Sequence, residues 1–173
     1  MIEARCLFDM AADRIDVVVH PQSVVHSRVE LTDGSVIAQL GVTDMKLPIQ
    51  YAFSYPERWS SPVPRLDWTQ AMDLRFEPPD EARFPCLTLA YDALRAGGAA
   101  PVVLNAANEV AVSSFLNGRI ALPDIAALVA GALSAAAGER LPVETLEDIR
   151  SVDEWARRAA ASRLGTVESG TGP

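Results

Sequence analysis

Between residues 81 and 165 apolar side chains recur three and four positions apart, the spacing that lines one face of an α-helix, and the residues between the runs mark where each helix stops. Pro85 suits a first helical position, Cys86, Leu89, Ala90, Ala93 and Leu94 share a face, and Gly97-Gly98 closes the run. Pro101 opens a second helix that ends at Asn117-Gly118. Pro123-Asp124 opens a third, with Ile125, Leu128, Val129, Ala132 and Leu133 as its stripe and Gly138 as its stop. Ser151-Val-Asp-Glu154 reads as a capping box, followed by Val152, Trp155, Ala156, Ala159, Ala160 and Leu164 on one face. Four amphipathic helices joined by short loops predict a bundle.

The first third has a different texture. Met1 to Met10 looks like helix interior with no Ser, Thr, Asp or Asn to cap it, so the chain is expected to begin partway through a longer structure. Arg14 to Val19 is a β-branched run, and Val24 to Glu30 and Ser35 to Leu40 flank Thr32-Asp33-Gly34, whose turn residues tolerate positive φ. Three strands, at least two of them antiparallel, are predicted here. Ile49 to Tyr55 reads as a short helix stopped by Pro56. The fold class predicted is α+β: a small, mostly antiparallel sheet piece at 1–55, a proline-rich linker at 56–80, a four-helix bundle at 81–165 and a disordered tail at 166–173. Trp59 and Trp68 are expected to anchor the linker by packing.

Composition narrows the classes. A chain of 173 residues should bury roughly 70% of its unfolded surface, enough for a real core. A net charge of -8, with arginines scattered rather than patched along the chain, argues against a nucleic-acid partner. No apolar run reaches the length of a membrane span and the first residues lack a signal-peptide pattern, so a cytoplasmic protein without a membrane partner is expected. Cys6 and Cys86 are too few for a disulfide framework and read as buried free thiols.

Candidate chemistry concentrates between His20 and Pro48, which holds both histidines and the sole lysine, Lys46. His20 and His26 either meet an anion or serve as acid or base, or they only hydrogen-bond their own turn. Asp44-Met45-Lys46 combines a cation for an anion with an adaptable apolar wall, or is a surface lysine beside a core methionine. Asn105 and Glu109 stand one helical turn apart and are expected to form a structural network binding their helix to its neighbours. There is no glycine-rich phosphate loop, no nucleophile elbow and no histidine and carboxylate set with metal spacing, so no catalytic residue and no metal ligand is assigned.

Taken in order, Ile2-Glu-Ala-Arg5, His20-Pro-Gln-Ser-Val-Val-His26-Ser27, Asp33-Gly-Ser35, Ala38-Gln-Leu-Gly41, Asp44-Met-Lys-Leu-Pro48, Phe84-Pro-Cys-Leu87 and Leu104-Asn-Ala-Ala-Asn-Glu109 resemble the 1-deoxy-D-xylulose 5-phosphate reductoisomerase family, specifically its C-terminal portion. The resemblance covers nearly all of residues 1–165. It implies an enzyme of the methylerythritol phosphate route to isoprenoids that rearranges 1-deoxy-D-xylulose 5-phosphate and reduces the product with NADPH to 2-C-methyl-D-erythritol 4-phosphate. A divalent Mg, Mn or Co ion would hold the phosphosugar oxygens, as a hard Lewis acid suits that rearrangement.

The resemblance further implies an N-terminal cofactor domain, a connective catalytic domain that homodimerises through its sheet, and a C-terminal helical bundle. This chain corresponds to the end of the second and all of the third. Mapped onto it, Met45 and His26 become pocket-wall residues beside nicotinamide and substrate, with Thr43 standing where many relatives carry proline. The cofactor fingerprint and metal ligands of the family fall upstream of Met1. The chain by itself is therefore expected to be inactive and to bind neither NADPH nor the metal tightly. Two rivals are a non-catalytic dimerisation or helper module, and one half of a split enzyme completed in trans.

Overall fold

The computed structural model describes residues 1–168, which form two compact units: residues 17–79, and residues 1–16 together with those from 80 onward. This division differs from the expected one, because the first sixteen residues group with the helices and the proline-rich segment groups with the hairpin.

In the helical unit, α1 (Ile2–Phe8) buries none of its residues and ends at Asp9, whose φ of 49° turns the chain. Tyr91 reaches back from α3 (Cys86–Ala96) to donate to the Ile15 carbonyl at 2.6 Å, tying the N-terminal segment to the bundle. Then come α4 (Ala100–Leu116), α5 (Asp124–Ala136) and α6 (Leu146–Glu168). These are the four helices expected from the periodicity. Their core joins Val103, Ala106 and Ala107 of α4 to Val129 and Ala132 of α5 and to Val152, Ala156 and Ala160 of α6. A second cluster joins Ala111, Ile120, Ile125, Leu128 and Leu164. Alanines at the crossings let helix axes approach closely, since interaxial distance follows side-chain size. Gly131 does the same on α5: a Cβ there would meet the Arg163 side chain of α6 at 3.1 Å.

Helix ends follow the expected punctuation at Gly97, whose φ of 66° suits a residue without a Cβ, and at Pro123. The start of α6 does not. Thr145, rather than Ser151, forms the capping box: the Asp148 amide donates to Thr145 Oγ1 at 3.1 Å and the Thr145 amide donates to the Asp148 carboxylate at 2.9 Å. Ser151 lies within the helix, its hydroxyl donating to the Glu147 carbonyl at 2.8 Å. Both tetrads carry the signature, and Thr145 precedes the apolar pair Leu146 and Ile149, so the helix begins there. Its backbone extends to Glu168, past the point where a disordered tail was expected; the rest of that tail, 169–173, lies outside the described residues.

Cys6 and Cys86 are free, but exposed rather than buried. Cys86 opens α3 ahead of its buried Ala93, and Cys6 rides on α1, which buries none of its residues.

In the other unit, β1 (Val25–Glu30) and β2 (Val36–Leu40) form an antiparallel hairpin with Glu30 opposite Val36 and Arg28 opposite Ala38. Gly34, at φ 83°, makes the turn, and Asp33 accepts from the Ser35 amide at 2.9 Å. Ser35 holds the Asp33 carboxyl below the usual carboxylate range, first through its hydroxyl and then through its amide. The third expected strand, at 14–19, is absent. Val19 alone makes a bridge, to Glu77, exchanging two backbone bonds of 2.9 Å. Pro78 and Pro79 have no N–H to extend that ladder, and Pro21 interrupts it on the other side.

The short helix is α2 (Lys46–Ser54), begun where the Lys46 amide donates to Asp44 Oδ1 at 2.8 Å. The proline-rich segment is held to α2 by polar contacts, Gln50 Nε2 donating to the Trp59 and Ser60 carbonyls and Arg58 stacking over Tyr51 at 3.5 Å. Trp59 and Trp68 do not anchor it, being 59% and 71% exposed. The buried residue of that segment is Val63.

Candidate functional site

The hairpin register slips by one residue between Val25 and Ser27, so His26 is the extra residue of a β-bulge. A bulge re-aims the side chain it carries. His26 accordingly turns along the hairpin end: Nε2 lies 3.0 Å from the Ser23 carbonyl and Nδ1 lies 3.2 Å from Gln39 Oε1. A carbonyl only accepts, so Nε2 carries the proton in the first contact. With Nε2 donating to Ser23 and Nδ1 lying against the Gln39 amide, His26 is built into the scaffold.

The loop that leaves β2 is stitched to the same place. The Gly41 amide donates to the Val24 carbonyl at 3.0 Å, and the Thr43 hydroxyl donates to the Ser23 carbonyl at 3.0 Å. A Cβ at Gly41 would meet Gln39 Nε2 at 3.4 Å and the His26 ring at 4.0 Å, ordinary contact distances that place this loop directly against the His26 side chain. Asp44 then caps α2 while facing the Lys46 ammonium at 3.6 Å, and Met45 projects its thioether outward, 69% exposed. The two segments that carry His26 and Met45 are thus joined at one end of the hairpin.

His20 goes elsewhere. Its ring stacks on Phe76 with centroids 4.7 Å apart, and Nδ1 sits 2.7 Å from the Arg75 carbonyl. Positive φ at Ser23 breaks the strand between the two histidines, so their six-residue spacing does not place them on one face. Ser23 and Gln39 carry no signal that sequence reading would register, since one acts through a backbone carbonyl in an unusual conformation. Asp44 was findable, as an Asx residue just ahead of a helix.

Asn105 and Glu109 form the structural network expected of them. Asn105 Nδ2 donates to Glu109 Oε1 at 3.0 Å, and Arg157 of α6 donates to Glu109 at 2.6 Å and to Asp153 at 2.6 Å. The Arg157 hydrogen bond, then that from Asn105, holds the Glu109 carboxyl below its ordinary range. Beside this network a groove of about 540 Å³ runs between Ile2, Pro101, Val102, Ile149 and Asp153. It includes neither His26 nor Met45.

Among the described residues no three His, Cys, Asp or Glu side chains come together to hold a metal ion. The residues present therefore do not fit the divalent ion implied by the resemblance, and none is assigned as its ligand. Nor, among the described residues, is any helix long and apolar enough to cross a membrane.

Residues 40–159 match the family model described as the DXP reductoisomerase C-terminal domain. The chain belongs to that family. It is 55% identical over 167 residues to the 1-deoxy-D-xylulose 5-phosphate reductoisomerase of Cupriavidus metallidurans, a match that covers 96% of this chain and 42% of the relative. The reductoisomerase of Heliobacterium modesticaldum is 53% identical over 95% of this chain and 42% of its own length. Among solved reductoisomerases, the Zymomonas mobilis protein in complex with NADPH is 43% identical with a TM-score of 0.86, over 94% of this chain and 43% of that one. A DOX-P reductoisomerase in complex with NADPH, fosmidomycin and magnesium is 42% identical with a TM-score of 0.89, over 99% of this chain and 43% of that one. The chain therefore spans less than half the length of the reductoisomerases it matches.

Proposed function

We propose that this chain is the C-terminal portion of a cytoplasmic, NADPH- and divalent-metal-dependent reductoisomerase that converts 1-deoxy-D-xylulose 5-phosphate to 2-C-methyl-D-erythritol 4-phosphate, and that by itself it is inactive. The observation that carries the reading is the match itself: 55% identity along 96% of the chain, confined to 42% of the relative. NADPH, when bound, supplies the hydride for the reduction. In this reading Met45 offers an exposed, polarisable thioether as an apolar wall beside nicotinamide and substrate. His26, pinned at the bulge, forms the adjoining wall and shapes the pocket without transferring a proton. The exposed valine and isoleucine side chains on the hairpin, Val29, Val36 and Ile37, support a homodimer formed through the sheet.

A chimaera tests this. The upstream portion of the Cupriavidus metallidurans enzyme is joined to this chain, and NADPH oxidation with 1-deoxy-D-xylulose 5-phosphate and magnesium is followed for the chimaera and for the chain alone. Turnover by the chimaera and none by the chain is the expected pair of results. Turnover by the pure chain refutes the claim of inactivity, and a folded chimaera without turnover refutes the assigned reaction. Restored turnover when the two pieces are mixed unlinked marks a split enzyme.

A further inference from the structure

One backbone oxygen connects the two residues assigned to the pocket wall. Ser23, at φ 50°, lies in the left-handed region that side-chain-bearing residues rarely occupy, and this turns its carbonyl into the space between the bulge and the loop leaving β2. Both acceptor positions of that oxygen are used: His26 Nε2 and Thr43 Oγ1 each stand 3.0 Å away. Thr43 is two residues from Met45, and the amides on either side of it are already committed, Gly41 to Val24 at 3.0 Å and Asp44 to Val42 at 2.9 Å. The hydroxyl is therefore the side-chain tie between the Met45 loop and the His26 bulge.

We propose that Thr43 is a positioning residue: by sharing the Ser23 carbonyl with His26, its hydroxyl fixes the loop that carries Met45 against the bulge that carries His26. This rests on the reading of His26 and Met45 as neighbouring walls of the pocket. The left-handed Ser23 is the element that makes the sharing possible, since an extended residue would send its carbonyl sideways in the ladder direction instead of into this junction. Loss of the hydroxyl leaves the hairpin and α2 intact while freeing the loop between them.

The test compares the full chain with Thr43→Val, which keeps the shape and removes the donor, and Thr43→Ser, which keeps the donor. In Thr43→Val, amide exchange at Gly41, Asp44 and Lys46 is expected to accelerate about fivefold, the equivalent of one modest hydrogen bond, while amides of β1 and of the bundle stay unchanged. The Nε2 resonance of His26 is expected to move in Thr43→Val and to return in Thr43→Ser. Unchanged exchange and an unchanged His26 ring in Thr43→Val overturn the anchor. In the active chimaera, Thr43→Val is expected to raise KM for NADPH about fivefold with kcat within about twofold, and Thr43→Ser to restore it. An unchanged KM overturns the positioning role. An inactive parent chimaera counts against the functional reading alone, and the exchange data then decide the anchor.

Discussion

The helical unit and the hairpin unit bury their side chains very differently. Of the fifteen buried hydrophobic residues among those described, Val63 alone lies in residues 17–79. The rest fill the bundle, most of them at helix crossings where alanine permits close approach. The hairpin unit instead leaves Val29, Ile37, Ile49 and Phe53 exposed, with Ile49 and Phe53 four apart on one face of the short helix and the exposed Met45 just ahead of it. One unit is held by apolar burial and the other by turns, a bulge and polar stitches. The bundle holds an apolar core of its own, whereas the hairpin unit leaves its apolar side chains exposed.

The largest test of that contrast is a core truncation. Leu128→Ala, at a side chain only 1% exposed, is expected to cost about 2–5 kcal/mol, seen as a lower denaturant midpoint by far-ultraviolet circular dichroism. Removal of the α6 cap by Thr145→Ala should cost about 1 kcal/mol in the same measurement. A loss there no smaller than that of Leu128→Ala would break the ranking of burial over capping.

On the hairpin, Ile37→Lys is expected to change stability by less than about 0.5 kcal/mol, because the side chain has little packing to lose. Light scattering should nonetheless show weaker self-association than in the parent chain. A strictly monomeric parent at high concentration would remove the sheet as a dimer surface.

The smallest effect expected is on the acid limb of stability. The folded-state pKa of Glu109 lies below its ordinary value of 4.5, held there first by Arg157 and then by Asn105. Its contribution is therefore fully present above that value and is lost as pH falls below it through the lowered one. Glu109→Gln should be slightly less stable than the parent at neutral pH and should converge with it as pH falls below 4.5, flattening this part of an acid denaturation curve. An acid limb identical to that of the parent would show that the network between α4 and α6 adds nothing.

Much of the bundle was legible because helix patterning is local: the stripe Ile125, Leu128, Val129 and Ala132 is buried as its spacing predicts. The hairpin was legible through Asp33-Gly34, whose conformational tolerance is a property of the residues themselves. The β propensity of Ile15, Val17 and Val18 predicts a strand at 14–19 that does not form, because propensity says nothing about whether a partner strand exists. Trp59 and Trp68 stay exposed for a related reason: apolar area predicts burial only where something packs against it.

At the candidate site, His26 and Met45 were singled out from the sequence and its resemblance. Their junction through Ser23 was not, because a carbonyl swung by a positive φ is invisible in a string of side chains. The sequence by itself determined the helices, the turn and the family, since these depend on periodicity, local conformational preference and matched motifs. Only the tertiary structure decided which histidine joins the Met45 loop, where α6 is capped and which apolar faces stay bare. Those outcomes depend on which groups meet in space, and the energy of each contact exists only once both partners are in place.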